Sequence, residues 1–323
     1  MNMCDPAATE HHSASNTAIC TLFEGDYHLG LAAFVNSLVR AGYAGTVFVG
    51  YRGALPPWIN QLSRLDPQGS EFMATDQIKL AFLLLEVQVH PANFKPQFIL
   101  DLLSGPARDC EYIWYFDPDI CLCCTWSFFA HWQRHGIALC EEIVNYHLSE
   151  SDPLRLQWME IGADMELGEP RSLNRYFNSG MVGLAPAHVS LLHLWKRILD
   201  EAGARGCDLN AFMPDDREMP FHSVDQDALN MALMYSEHPL TSMGPEGMGL
   251  IPGGARMYHT VGQKPWRGSL LLRALSGMPP SDAAKYFFTQ VSSPIRAYSP
   301  ARLRAKRLAC AIAALMGRFY RRR

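Results

Sequence analysis

Residues 17–50 constrain the architecture more than any other stretch of the chain. An apolar run at 17–23 reads as a short buried strand, 29–41 as a helix that stops at Gly42, and 46–50 as a second strand. That succession is a βαβ opening. Two further apolar stretches, 78–87 and 97–103, read as helices ahead of a strand at 112–116, and strands and helices continue to alternate beyond it. The economical architecture is a mostly parallel α/β sheet covered by helices on both faces. With 323 residues, 48% of them hydrophobic, the chain can bury one large core.

Several classes of protein are excluded as expectations. No stretch reaches the roughly 18 apolar residues of a spanning helix, and residues 1–16 are polar where an export signal would be apolar. A cytoplasmic location is expected. Nine cysteines, an odd number without regular spacing, fit a reducing compartment better than a disulfide framework. Cys121, Cys123 and Cys124 have no partner pair at metal-ligand spacing and read as buried thiols. Charge is uneven. Residues 301–323 hold eight basic residues and no acid, which leaves 28 − 8 = 20 basic residues against 32 acidic ones in the body, a balance of −12. An acidic body disfavours nucleic acid, and a +8 tail suits an anionic membrane.

In open α/β sheets, ligands bind beyond the carboxyl ends of the strands, so polar residues there are the candidates. Asp117-Pro118-Asp119 follows the apolar strand, and in extended backbone two residues two apart share a face. Paired carboxylates suit Mg²⁺ or Mn²⁺, although the same tripeptide is ordinary turn chemistry. A second group is His259, Gly262, Lys264 and Trp266: an imidazole ligand, a glycine for close backbone approach and an ammonium for a phosphate oxygen. Read without a ligand, it is a surface loop with a packed tryptophan. A third comprises Phe177-Asn178-Ser179-Gly180, read as a turn entering a strand, and Asp225-Gln226-Asp227 with Asn230, read as the start of a helix.

Taken in order along about 150 residues, these segments resemble glycosyltransferase family 8, the retaining GT-A enzymes that use mainly uridine diphosphate sugars. Asp117-Pro-Asp119 is similar to its Asp-x-Asp motif, 177–180 to Phe-Asn-(Ser/Ala)-Gly, 225–230 to Asp-Gln-Asp-x-Leu-Asn, and 259–266 to His-x-x-Gly-x-x-Lys-Pro-Trp. The resemblance implies a GT-A fold with a Rossmann-like nucleotide-binding sheet. It implies that Asp117, Asp119 and His259 hold Mn²⁺ or Mg²⁺, and that Gly262 and Lys264 contact the donor diphosphate. Asn178, Ser179, Gly180, Asp225 and Asp227 would surround the donor sugar, with Gln226 beneath the anomeric carbon. Glu24, Asp26 and Tyr27 stand where the family binds the base, although the family has aspartate at the first of these positions and asparagine at the second. An arginine that contacts the donor upstream of the metal motif is replaced here. Lys79 and Lys95 are the nearest candidates, and Lys95 is preferred because it lies closer to the metal strand.

On this reading residues 17–275 form the catalytic domain, between a disordered segment 1–16 and a helical extension 276–323. The donor is a UDP-sugar, and the acceptor a glycan or a lipid-linked molecule chosen by variable segments such as 146–174 and 207–222. Trp158 and the acids nearby either line a site for a sugar or lipid head or simply pack. Gln226, as an amide, is a poor nucleophile, so same-face attack by the acceptor hydroxyl is expected in place of a covalent glycosyl intermediate. In the tail, Leu308, Ile312, Leu315 and Phe319 recur at helical spacing among basic residues, the pattern either of a helix lying at the inner face of a membrane or of a terminal helix packed on the domain with a frayed basic end. A nucleotidyltransferase of similar fold would carry a Gly-rich basic loop after its first strand, which Glu24-Gly-Asp-Tyr27 is not. A non-catalytic nucleotide-sugar-binding protein would be expected to lack one of the three metal ligands. A glycoside hydrolase would hold its two carboxylates further apart than Asp117 and Asp119.

Overall fold

The computed structural model describes residues 16–143, 148–213 and 219–319, so the segment expected to be disordered lies outside it apart from Asn16. Strand β1 (Thr17–Glu24) leads through one 3-10 turn into α1 (His28–Ala41). Gly42 ends that helix at φ 78°, a left-handed conformation that lets its N–H return to the Leu38 and Val39 carbonyls. There follow β2 (Gly45–Arg52), β3 (Ser63–Arg64), β4 (Glu71–Met73), β5 (Ile78–Leu84), α2 (Lys95–Ser104), β6 (Tyr112–Phe116), β7 (Ile120–Leu122), α3 (Trp126–Trp132) and β8 (Ile137–Glu141). The second half contains α4 (Pro153–Asp164), β9 (Phe177–Leu184), α5 (Val189–Ala204), α6 (Val224–Met234), β10 (Leu240–Met243), β11 (Met257–His259), α7 (Leu270–Leu275), α8 (Asp282–Gln290) and α9 (Pro300–Phe319).

Nine strands form one sheet in the order β10-β8-β9-β6-β1-β2-β5-β4-β3, and all but β9 and β4 run the same way. β1 shows why such strands read as unbroken apolar runs. Cys20 and Leu22 face a core shared with α2, α5 and α6, while Ile19 and Phe23 face another shared with α1. The same effect corrects the reading of 78–87. That run is β5, parallel to β2, and not a helix; a strand buried on both faces has no polar side to show its period of two. A second correction concerns 177–181, which is strand from Phe177 onward and not a turn leading into one.

β9 matters for function because it is reversed. The parallel strands bring their carboxyl ends to one edge of the sheet, and β9 brings its first residues there: Met181 pairs with Phe116, the last residue of β6. A separate two-stranded sheet sets His259 of β11 opposite Ile120 of β7. Behind this edge, Trp266, Leu270, Ala274, Phe287, Phe288, Leu303 and Ala313 form a third apolar cluster that joins α7, α8 and α9 to α1. Asn36 of α1 fastens it, donating to the carbonyls of Gln290 (2.6 Å) and Ile295 (2.8 Å) and accepting from the Ile295 N–H (2.8 Å). The described cysteines are all free thiols. Among the described residues no helix is long and apolar enough to cross a membrane.

Candidate active site and metal centre

Beyond Phe116 the chain turns at once, with the Ile120 N–H donating to the Asp117 carbonyl at 3.1 Å. Asp117 and Asp119 therefore converge through a turn and not through the alternation of an extended strand. The turn is not solvated: Asp119 is 3% exposed. Its walls are β9, whose Gly180 carbonyl accepts from the Asp117 N–H at 2.7 Å, and the segment after β11, where the Thr260 N–H donates to the Asp119 carbonyl at 3.2 Å.

Each carboxylate divides its two oxygens between two tasks. Asp117 Oδ1 accepts from the Tyr115 hydroxyl (2.9 Å) and lies 3.2 Å from the Lys95 ammonium. Asp119 Oδ2 accepts from Lys264 (2.5 Å) and from the Thr260 hydroxyl (3.1 Å). The other oxygens, Asp117 Oδ2 and Asp119 Oδ1, face His259 Nε2 at 3.7 and 3.4 Å, longer than a good hydrogen bond. Those three ligand atoms lie within 4.8 Å of one another. Two carboxylate oxygens and one imidazole so placed could hold one metal ion. Gly180 keeps the cradle open. A Cβ at that position would come within 2.7 Å of both Asp117 Oδ2 and His259 Cε1.

Electrostatics hold the group together. Burial works to raise the Asp119 pKa, but His259 and Lys264 outweigh it and keep the carboxyl well below its ordinary range. Lys264 is the converse case: burial lowers its pKa, and Asp119 and Tyr27 more than restore it. Lys95 is 3% exposed and stands at the centre of the site. Its ammonium is 2.8 Å from Asp225 Oδ2, 3.2 Å from the Ser179 carbonyl and 3.3 Å from the Ser179 hydroxyl, and it faces the Tyr115 ring at 5.2 Å. Burial again opposes the charge, and Asp117 and Asp225 again prevail. Lys79, the other candidate, is paired with Glu71 at 2.9 Å on neighbouring strands β4 and β5.

The start of α6 separates two acids that the sequence grouped. Asp225 faces the site, accepting from the Ser179 hydroxyl at 2.6 Å as well as from Lys95. Asp227 turns away, accepting from the Tyr176 hydroxyl (2.5 Å) and the Ser223 N–H (2.7 Å), and burial pushes its pKa up to about 7. Gln226 spans the two sides, accepting from the Ser179 N–H and donating to the Tyr176 hydroxyl, both at 3.2 Å. Asn178 accepts from the Gly180 N–H at 2.8 Å and donates to Glu142. Sequence reasoning passed over Glu142, a buried carboxylate just past the carboxyl end of β8. The signal was the one that identified Asp117, an acid following an apolar strand.

On the far wall, Asp26 is paired with Arg267 at 2.5 and 2.8 Å. The Tyr27 ring lies 5.6 Å from the Lys264 ammonium, 5.1 Å from the Arg267 guanidinium and edge-on to Trp266. Gly262 adopts φ +68° in an open turn between His259 and Lys264, a conformation that favours glycine. Glu24, at the end of β1, is paired with Arg52 of β2. Of the two readings of Trp158 the structure shows packing: it is fully buried in the core, where its indole N–H donates to the Pro220 carbonyl.

No protein-family model matches the chain, and no curated protein matches it. Among solved structures the chain is similar to the apo structure of WbbM, a bifunctional glycosyltransferase, with a TM-score of 0.52 and 11% identity. The likeness covers 94% of this chain and 53% of that one, so the chain spans about half the length of the solved chain it matches. At that identity the likeness shows the fold: a mixed α/β architecture around a large, mostly parallel sheet, shared with a glycosyltransferase structure.

Proposed function

We propose that this chain is a metal-dependent, retaining glycosyltransferase that moves a hexose from a UDP-sugar to a glycan or lipid-linked acceptor. One observation carries the reading. Asp117 and Asp119 each bind a lysine through one oxygen and offer the other to the space in front of His259. A solvated turn has no reason for that division of labour, whereas a cation site between a diphosphate and the protein requires it.

Mn²⁺ or Mg²⁺ held by Asp117, Asp119 and His259 would act as a Lewis acid toward a diphosphate leaving group. Lys264, already at the cluster, would add a second positive charge, and Gly262 would let the backbone approach the phosphates. Asn178, Ser179, Gly180 and Asp225 form the wall that would meet the donor sugar, with Lys95 holding Ser179 and Asp225 and Glu142 holding Asn178. Asp227 supports that wall indirectly, through Tyr176 and Gln226. Retention without a glycosyl-enzyme intermediate is favoured by the state of the carboxylates. Asp225 is held by Lys95 and Ser179, and Asp227 is turned to Tyr176, so neither is a free nucleophile. Gln226 would stabilise the developing cation while the departing phosphate takes the acceptor proton.

Membrane contact is part of the proposal. The expected apolar stripe of α9 is exposed: Leu308, Ile312, Leu315 and Phe319 face outward, while Leu303, Cys310, Ala313 and Gly317 pack inward. Arg304 and Arg318 accompany that stripe, which suits the inner face of a membrane that carries a lipid-linked acceptor.

The first test is calorimetric titration with UDP, with and without Mn²⁺, of the wild type and Asp119→Ala. Binding that needs both the metal and Asp119 supports the reading. Tight binding without Mn²⁺, or equal binding by the variant, refutes the metal assignment.

A further inference from the structure

Away from the candidate active site, one pair of side chains already stands at metal-ligand spacing. His131 lies in the last turn of α3, and His135 ends the 3-10 turn Gln133–His135 that follows it. Residues four apart share a face of a helix. Here the two rings stand 4.9 Å apart, with Nε2 of one 3.3 Å from Nε2 of the other, and both side chains are exposed.

The backbone beneath them is held by its buried residues. Trp132 donates through its indole N–H to the Thr241 hydroxyl of β10 at 3.0 Å, and Gln133, 2% exposed, accepts from the Trp114 indole N–H of β6 at 2.7 Å. Gly136 follows at φ +121° with no room for a Cβ against the Pro239 carbonyl, which also accepts from the Ile137 N–H at 2.8 Å. The segment that carries both histidines is therefore tied to the sheet on either side of them. The other close histidine pair, His188 and His238, lacks this freedom to bind. Its rings are 4.8 Å apart, but His238 Nε2 is engaged by the Ser190 hydroxyl at 2.6 Å and His188 Nδ1 is buried.

We propose that His131 and His135 form a surface site for a borderline divalent transition metal ion, Zn²⁺ in the first instance, separate from the cluster of Asp117, Asp119 and His259 and independent of the donor-site reading. A tetrahedral Zn²⁺ with bonds to nitrogen of about 2.0–2.1 Å holds its ligands about 3.3–3.4 Å apart. That is the separation already present between the two Nε2 atoms. Imidazole nitrogen suits Zn²⁺, Cu²⁺ or Ni²⁺, whereas carboxylates suit harder ions. In the neutral pair one Nε2 carries the proton of the contact and the other accepts it. On binding, the donating ring moves that proton to Nδ1, so that both Nε2 lone pairs face the ion and no proton is lost. Among the described residues no further histidine, cysteine or carboxylate completes a group of three with them, so water takes the remaining positions. The ion clips the end of α3 to the turn that enters β8.

The test is calorimetric titration of the full chain with ZnCl₂ and, separately, with MnCl₂. It compares wild type, His131→Ala, His135→Ala and, as a control, His193→Ala, which removes an exposed histidine of α5. A Zn²⁺-binding step present in wild type and in the control is expected to weaken at least about tenfold in both His131→Ala and His135→Ala, since even an outer-shell partner is worth about 10–100-fold to a metal site. The Mn²⁺ isotherm is expected to be the same in all four proteins. Zn²⁺ isotherms of the two variants that superimpose on wild type overturn the proposal. Loss of the step in only one of them also overturns it, because a chelate needs both nitrogens. An equal loss in His193→Ala, or a parallel loss of Mn²⁺ binding, overturns it as well, since the effect then lies in the histidine content or the fold and not in the pair.

Discussion

The metal cluster and helix α9 invert the usual partition of a chain in opposite ways. In the cluster, charged groups are buried: Lys95, Asp119 and Asp225 are each less than a tenth exposed. On α9, apolar groups are exposed, Leu308 at 63% and Phe319 at 84%. The cluster is internally balanced, with a lysine on each metal-binding carboxylate, and can fold without its ligand. α9 has nothing on its outer stripe among the described residues, so whatever justifies that stripe lies outside the fold. A buried charge network is therefore testable through stability as well as binding, whereas an exposed stripe is testable through binding with little effect on stability.

Breaking the cluster should produce the largest effects. Asp119→Ala leaves Lys264 and His259 buried without their carboxylate, and the loss expected for such a pair is about 3–5 kcal/mol in urea unfolding. Transfer activity should fall at least about 10²–10³-fold, the range for removal of one electrostatic contributor. Full stability in the variant would show that the cluster is not a network. Lys95→Met should cost a similar amount of stability, because Asp117 and Asp225 lose their shared cation. The comparison sharpens here. Mn²⁺ without nucleotide should stabilise the Lys95 variant more than the wild type, since ligand binding to the native state adds stability by mass action. Equal metal-induced shifts in melting temperature would contradict this account.

A smaller effect comes from Asp227, which lies behind the site. Its pKa of about 7 exceeds the ordinary 3.8, so the native state retains a proton that the unfolded chain has released. Stability should then fall as pH rises between about 4 and 7, by up to about 1.4 kcal/mol per pH unit from this group. Asp227→Asn should flatten that slope while leaving Mn²⁺-dependent UDP binding close to wild type. An unchanged pH dependence of the urea midpoint would show that Asp227 is ionised in the native state.

What was legible in the sequence follows the same physics. Asp117 and Asp119 could be found because they follow an apolar strand, where open α/β sheets place their ligands, whereas His259, on the separate β7–β11 sheet, was joined to them by the resemblance. Asp227 was grouped with Asp225 on motif alone. Once 224–234 is a helix, however, residues two apart cannot share a face, so one of the two had to turn away. β5 read as a helix because burial on both faces removes the period that distinguishes the two structures. Arg52 was not legible, since its role is defined by a contact far away in sequence, 28 residues beyond Glu24, whereas Glu142, an acid following an apolar strand, carried a signal that was passed over. Lys95 was placed by proximity to the metal strand, but its bridge between Asp117 and Asp225 needed the folded chain.

The smallest expected change in stability lies on α9, and its smallness is the point. Leu308→Ser with Leu315→Ser removes two exposed apolar side chains and should shift folding stability by no more than about 0.5 kcal/mol. Leu303→Ala, on the buried stripe of the same helix, should cost about 2–5 kcal/mol. Co-sedimentation with vesicles containing anionic lipid should reverse the order, falling sharply for the double serine variant and little for any Leu303 variant that remains folded. The basic residues predict the salt response as well. Binding should weaken as ionic strength rises, because exposed charges are screened beyond about 8–10 Å in ordinary buffers. If the double serine variant still sediments like wild type, the stripe is not a membrane contact. The exposed apolar groups of α9 would then serve no bilayer.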